Sequence, residues 1–145
     1  MESSLIKELT TPEEWKKAYP LMKHLRTHLD VESYLALVSE AVQKENYRIA
    51  ALYESGKMKA VTGFMPMITL YNGRFIWVCD LVTDPDQRFK GFGSALLSYV
   101  ENWAKDNGYS AVSLSSGLQR EAAHRFYEEK MDYDKVSYVF LKKLL

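Results

Sequence analysis

Cysteine is almost missing from this sequence: Cys79 is the single example in 145 residues. One thiol cannot build a disulfide framework, so the fold must be held by its core, and a reducing compartment is the simpler expectation. An excess of one charge is missing too, because nineteen basic residues cancel nineteen acidic ones. No overall field draws the chain to nucleic acid or to anionic lipid, and neither is expected as a partner. The opening stretch MESSLIKELT lacks a basic start followed by an apolar core, and no apolar run approaches the ~20 residues of a membrane span. A cytoplasmic protein is expected. Repeats, low-complexity tracts and linkers are also missing, which leaves a single domain over residues 1–145. What is present is an ordinary globular composition, 47% apolar and 26% charged. A chain of this length buries roughly two thirds of its unfolded surface.

Periodicity divides the chain into elements. Leu5 to Leu9 is a short strand candidate. Thr11, Pro12, Glu13 and Glu14 form a strong helix start: a capping hydroxyl, proline in the first turn, and acids at the positive end of the dipole. That helix carries Trp15, Ala18, Tyr19 and Met22, and Pro20 is expected to end or kink it near Tyr19. Asp30 caps a second helix, with Tyr34, Leu35, Val38, Ala41 and Val42 on one face, running out around Lys44 to Asn46. The period then changes. Tyr47 to Tyr53, Met58 to Met65 and Phe75 to Thr83 are β-type runs separated by Glu54-Ser55-Gly56-Lys57 and by Asn72-Gly73, and they predict an antiparallel meander. Pro66 is expected to end or bulge the second run.

A helix from Phe92 follows, with Phe92, Ala95, Leu96, Tyr99, Val100, Trp103 and Ala104 at spacings of three and four, stopped by Asn107-Gly108. Ala111 to Ser115 reads as a strand parallel to the one before the helix, Glu121 to Lys130 as a last helix, and Tyr133 to Leu145 as a closing strand. The class is α+β, with a mixed, mostly antiparallel sheet flanked by about four helices.

The junction between Leu81 and Val100, LVTDPDQRFKGFGSALLSYV, organises the functional reading. An extended segment gives way to a helix at a glycine turn, which aims unpaired N–H groups and the positive end of a dipole at one spot. That spot suits a phosphate or pyrophosphate. A dinucleotide fingerprint fails, because Leu96 stands where its third glycine belongs and no acidic ribose ligand follows at the expected distance. A P-loop fails because the turn ends Gly93-Ser94-Ala95 rather than Gly-Lys-Ser/Thr.

The pattern Arg88-x-x-Gly91-x-Gly93, after an apolar run ending Thr83-Asp84-Pro85, resembles the acetyl-CoA-binding motif of the GNAT superfamily of N-acetyltransferases. Downstream, Ala123-x-x-Phe126-Tyr127 resembles the family's second signature, and the order of elements is similar to the GNAT fold from end to end. The resemblance implies a GNAT fold, acetyl-CoA as co-substrate, and direct acetyl transfer to a primary amine of a small molecule or peptide. It implies that backbone donors from Phe89, Lys90, Gly91, Phe92, Gly93 and Ser94 hold the pyrophosphate, with Arg88 adding charge or bracing the loop. Leu81, Val82 and Thr83 would pair with the pantetheine like an added strand, and Ala123 and Tyr127 would lie near the cofactor.

Three departures stand out. Arg120 replaces the family's frequent asparagine, Asp132 replaces a glycine before Tyr133, and the chain stops at Leu145 after one strand, which leaves room for a sheet edge completed in a homodimer. Aspartate tolerates the left-handed backbone that such a glycine position needs.

The chemistry narrows the candidates further. An alkylamine with pKa near 10.4 is about one part in two thousand deprotonated at pH 7, so a base or desolvation must help. Asp80, directly before Leu81, is the candidate base, against the plainer role of an acid bonded within the sheet. Tyr127 is the candidate general acid for the leaving thiolate, against a hydroxyl that only bonds the cofactor. Arg26 and His28, between the first two helices, are candidates for reading the acceptor's charge. His24, His28, His124 and Cys79 are too few and too scattered for a metal site, and none is expected. The rival to an enzyme is a domain that binds CoA as a sensor or scaffold without turnover.

Overall fold

The computed structural model describes residues 4–88 and 90–145, which form two compact units, the first ending at Ser113 and the second running from Leu114 to Leu145. The first unit opens with strand β1, Ser4–Leu9, and helix α1, Pro12–Leu25. A reciprocal box starts α1: Thr11 Oγ1 accepts from the Glu14 N–H at 3.3 Å, and Glu14 Oε1 accepts from the Thr11 N–H at 3.2 Å and the Thr10 N–H at 3.0 Å. These donors and the Lys7 ammonium at 3.2 Å hold the Glu14 carboxyl down, from 4.5 to about 2. A depressed folded-state pKa means stability that is complete above about 4.5 and lost as pH falls toward 2. Melting curves between pH 2 and 7 are therefore expected to flatten on that side in Glu14→Gln; an unchanged acid limb would remove the box from the account.

Pro20 does not end α1 near Tyr19; the helix runs through it to Leu25. An interior proline costs about 3 kcal/mol. Leu21 and Met22, just beyond it, are both buried, and each such side chain returns roughly 1.5–3 kcal/mol. The Tyr19 hydroxyl also donates to Leu29 O at 2.7 Å, which ties down the chain after the helix. Tertiary burial outweighs the local penalty. Helix α2, Val31–Glu45, starts at Asp30, whose carboxylate accepts from the Ser33 N–H at 2.7 Å, and stops at Asn46 with φ of 55°.

Strands β2 (Arg48–Glu54), β3 (Lys57–Thr69) and β4 (Gly73–Thr83) form the antiparallel meander, and β1 pairs antiparallel with β2. Ser55 and Gly56, with φ of 53° and 78°, make the two-residue turn between β2 and β3, the left-handed pair that matches strand twist. Pro66 neither ends nor bulges β3, since it stays in register opposite Ile76. β3 has left β2 by then, its last pair there being Arg48 with Phe64, so the missing donor falls where β3 has no neighbour on that side. The irregularity lies earlier. Gly63 faces Asp80 while Phe64 faces Val78, which leaves Cys79 as an extra residue in β4, a β-bulge beside Asp80.

Helix α3, Phe92–Asp106, follows a short 3-10 turn at Pro85–Gln87, and strand β5, Val112–Leu114, completes the order β1-β2-β3-β4-β5. Arg74 O accepts from the Ser110 N–H and the Ile76 N–H donates to Ala111 O, an ascending pattern that makes β5 parallel to β4. The result is an α+β fold with a five-stranded mixed sheet.

The sheet is buried on both faces. Ile49, Ala51 and Val61 pack with Trp15, Ala18 and Met22 of α1 and with Tyr34 and Val38 of α2. Their neighbours Leu52 and Ala60, on the opposite face by strand alternation, pack with Phe92 and Leu96 of α3. The α3 stripe is shifted from the expected one: Ala95 is exposed and Leu97 is fully buried, because a helix pressed on a sheet buries a wider face than a three-four repeat marks.

In the second unit, helix α4, Glu121–Arg125, continues into a π-helical turn, Phe126–Lys130. The expected strand from Tyr133 to Leu145 is not formed. Val136, Tyr138, Val139, Phe140 and Leu141 are at least 70% exposed and lie in no regular element. Their β-type pattern needs a partner strand, and between Ser115 and Lys130 this unit is turn and helix.

Candidate active site

The turn into α3 has the form that the sequence anticipates. Gly91 is the N-cap residue, with φ of 83° and ψ of 8°, and no side chain caps the helix. The first bond across that turn is from the Ala95 N–H to Gly91 O at 3.0 Å, so the N–H groups of Phe92, Gly93 and Ser94 have no intrahelical acceptor. Ser94 Oγ turns back to donate to Gly91 O at 3.1 Å. At Gly91 the need for glycine is conformational, since a Cβ there would meet nothing nearer than Ser94 Oγ at 3.9 Å. An open, donor-lined turn of this kind fits a pyrophosphate.

The approach to the turn is braced by Asp84. Its backbone N–H donates to Lys59 O, its carboxylate accepts from the Asp86 N–H at 3.0 Å, and its carbonyl accepts from the Gln87 N–H at 2.8 Å. Arg88 and Lys90 are exposed, with the Lys90 ammonium 3.0 Å from Gln87 Oε1, while the Phe92 ring is buried in the core. Phe89 lies outside the described residues. Leu81, Val82 and Thr83 are half-buried and pair with Thr62, Val61 and Ala60 of β3. Ser110 and Ala111 lie against Arg74 and Ile76, and the three-residue strand after them is too short to reach the level of Leu81–Thr83. Among the described residues, the strand paired with that end of β4 is β3.

Asp80 is the centre of a polar cluster. Oδ1 accepts from Arg26 Nε at 2.9 Å, and Oδ2 accepts from the Tyr47 hydroxyl at 2.7 Å. Arg26 Nη2 also donates to Cys79 O at 2.7 Å, a carbonyl presented by the bulge, and Thr62 Oγ1 donates to Asp80 O at 2.7 Å. Gly63 makes room for this arrangement: a Cβ there would collide with the Tyr47 hydroxyl and come within 2.8 Å of Asp80 Oδ2.

Burial, and then the Asp80 charge, push the Tyr47 hydroxyl well above its ordinary range, so it stays a donor. Burial and Asp80 likewise raise the Cys79 thiol to about 12 against the opposing pull of Arg26, which makes it a poor nucleophile. Of the two candidates between α1 and α2, Arg26 is brought to Asp80 and His28 is left exposed. Sequence reasoning missed Tyr47, Thr62 and Gly63. Only Gly63, a glycine inside a strand pattern, carried a local signal.

In the second unit, Ala123 is half-buried and Tyr127 lies in the π-helical turn, its ring 5.3 Å from that of Phe126 and 6.1 Å from that of Tyr133. Burial raises the Tyr127 hydroxyl, and the Arg120 charge partly opposes it. Asp132 takes the left-handed backbone expected of it, with φ of 61°, and the Tyr133 N–H donates to Tyr127 O at 2.8 Å. Ser116 Oγ is buried with no hydrogen-bond partner among the described residues, a polar atom that a bound molecule or a water would satisfy. Among the described residues no group of three or more His, Cys, Asp and Glu is placed to hold a metal ion, and no helix is long and apolar enough to cross a membrane.

Comparison with known proteins shows the family of the chain and the likeness of its fold. The sequence profile of the acetyltransferase (GNAT) family matches residues 10–133. The uncharacterized N-acetyltransferase YhdJ of Bacillus subtilis (strain 168) is 47% identical over 137 residues, 94% of this chain and 96% of that protein. The aminoalkylphosphonate N-acetyltransferase of Salmonella typhimurium is 25% identical over 119 residues, 81% of this chain and 77% of that one. Among solved structures, the aminoglycoside N-acetyltransferase AAC(6')-Iy in complex with CoA superposes with a TM-score of 0.86 at 13% identity, covering 100% of this chain and 97% of that one.

Proposed function

Since this chain belongs to the GNAT family of acetyltransferases, we propose that it transfers acetyl from acetyl-CoA to the primary amine of a small molecule or peptide. The observation that carries the reading is Asp80, a carboxylate held at a bulge on the strand that leads to the uncapped start of α3. Acetyl-CoA supplies the acetyl group as a thioester; the amine nitrogen takes the acyl carbon as the carbon–sulfur bond breaks, giving an amide and the free thiol.

The N–H groups at the start of α3 hold the pyrophosphate, and Leu81–Thr83 align the pantetheine like an added strand. Asp80 receives the proton that the acceptor nitrogen must shed, directly or through one water. The Tyr127 hydroxyl, kept protonated by burial, returns a proton to the departing sulfur, a role that rests on its place in the second signature. An ammonium nitrogen sheds two protons on its way to the amide: one leaves through Asp80 to solvent, the other makes good the proton that Tyr127 gives to the sulfur, and one proton is released per turnover.

The rival is a domain that holds CoA without turnover, and it draws on the same cluster, since both Asp80 oxygens already have protein donors. Two measurements separate the readings. Acetyl-CoA at about a hundred times its Kd is expected to stabilise the fold by about 2.7 kcal/mol in a melting experiment, and no shift would remove both. Release of free CoA thiol with an amine then marks an enzyme, whereas a melting shift with no release from any amine marks the sensor.

A further inference from the structure

Arg26 uses only one edge of its guanidinium. The Nε–H and one Nη2–H are spent on Asp80 Oδ1 and Cys79 O, at 2.9 and 2.7 Å. A guanidinium carries five N–H donors in a rigid plane. Three therefore remain, two on Nη1 and one on Nη2, and one from each nitrogen points along the end-on edge. No described residue accepts from them, and the side chain is 40% exposed. The two bonds on the other edge fix the plane, so the free edge is orientated in advance with little entropy left to lose.

That edge adjoins the candidate base. Asp80 is only 13% exposed and lies 2.9 Å from Arg26, so a nitrogen that approaches Asp80 also approaches the guanidinium. A second positive charge on such a molecule would be repelled there, and an oxyanion would be drawn in with two parallel N–H···O bonds.

We propose that the acceptor is a zwitterion, a primary amine joined by a short carbon linker to a carboxylate or phosphonate that docks on the free edge of Arg26. The assignment rests on the acetyltransferase reading and specifies its substrate class. In the complex the ammonium faces Asp80 and the acid faces Arg26, so each charge meets its opposite without breaking the Arg26–Asp80 pair. The same geometry disfavours diamines and polyamines.

The test uses the full chain with saturating acetyl-CoA and follows thiol release from propylamine, putrescine, β-alanine and 2-aminoethylphosphonate. At least one of the two acid-bearing amines is expected to exceed propylamine in kcat/KM by about tenfold or more, and the better of them identifies the oxyanion. Arg26→Ala is expected to erase that ratio while keeping the acetyl-CoA melting shift, and Arg26→Lys to recover only part of it, because an ammonium cannot offer the planar fork. Propylamine or putrescine equal to the acid-bearing amines, or a ratio untouched in Arg26→Ala, would overturn the zwitterion and leave the acetyltransferase standing. Silence from all four amines in a protein that still binds acetyl-CoA would sink the zwitterion, and the acetyltransferase would fall with it only if no other amine or peptide released the thiol.

Discussion

Asp80→Asn is expected to lower kcat on a working amine by about 10²–10⁴-fold, with the affinity for acetyl-CoA unchanged. Asparagine keeps the shape of the side chain and one acceptor but cannot take up a proton. The surroundings argue for a placed group: the Tyr47 hydroxyl fixes one oxygen, Arg26 fixes the other, and Thr62 holds the backbone carbonyl. Arg26 is 40% exposed, so the ion pair itself adds little to stability. Tyr47→Phe provides the companion measurement. It removes the donor that positions Asp80 Oδ2 and leaves the carboxylate itself in place, so kcat is expected to fall by about tenfold to a hundredfold while KM for acetyl-CoA stays put. A lowered Tm with intact kcat in both variants would make the cluster purely structural.

Gly91→Val is expected to weaken acetyl-CoA binding by about tenfold or more, read by calorimetry or by loss of the melting shift. The residue sits at φ of 83°, where a β-branched side chain costs at least about 1–2 kcal/mol and the chain relieves the strain by rotating the peptide. Rotation there turns the N–H groups of Phe92, Gly93 and Ser94 away from a common point. Gly56→Val is the matched control. Gly56 has a similar φ of 78°, equally open space and no part in the site, so it should cost stability and leave acetyl-CoA binding intact. Normal affinity in Gly91→Val would mean that the pyrophosphate lies elsewhere.

Much of the fold was legible because it follows from rules that act within a few residues. The Thr11–Glu14 box, the Asp30 cap, the left-handed turn at Ser55-Gly56 and the glycine start of α3 all appear where the residue types called for them. Even the departure at Asp132 was readable, since a short acid can adopt the backbone that glycine usually supplies. The failures share a different cause. Pro20 and Pro66 are local breakers whose effect was settled elsewhere, one by the burial of Leu21 and Met22 and the other by where β2 stops pairing. The β-type run from Tyr133 shows the converse, a local preference with no strand in its own unit to satisfy it.

The candidate site divides along the same line. Its cofactor half, from Leu81 to Ser94, is contiguous in the chain, so one strand-to-helix junction sets its donors and its dipole. The sequence alone therefore marked out that half as a candidate, excluded the dinucleotide and P-loop patterns for it, and determined the α+β class. The Asp80 cluster was decided by the tertiary structure. Tyr47 and Arg26 reach Asp80 across 33 and 54 residues, through a sheet register that slips at Gly63/Phe64 and a helix that runs on past its own proline. Hydrogen bonds of that kind have no local signature, because they depend on which strands pair and where the register slips, and only packing of the whole sheet settles both.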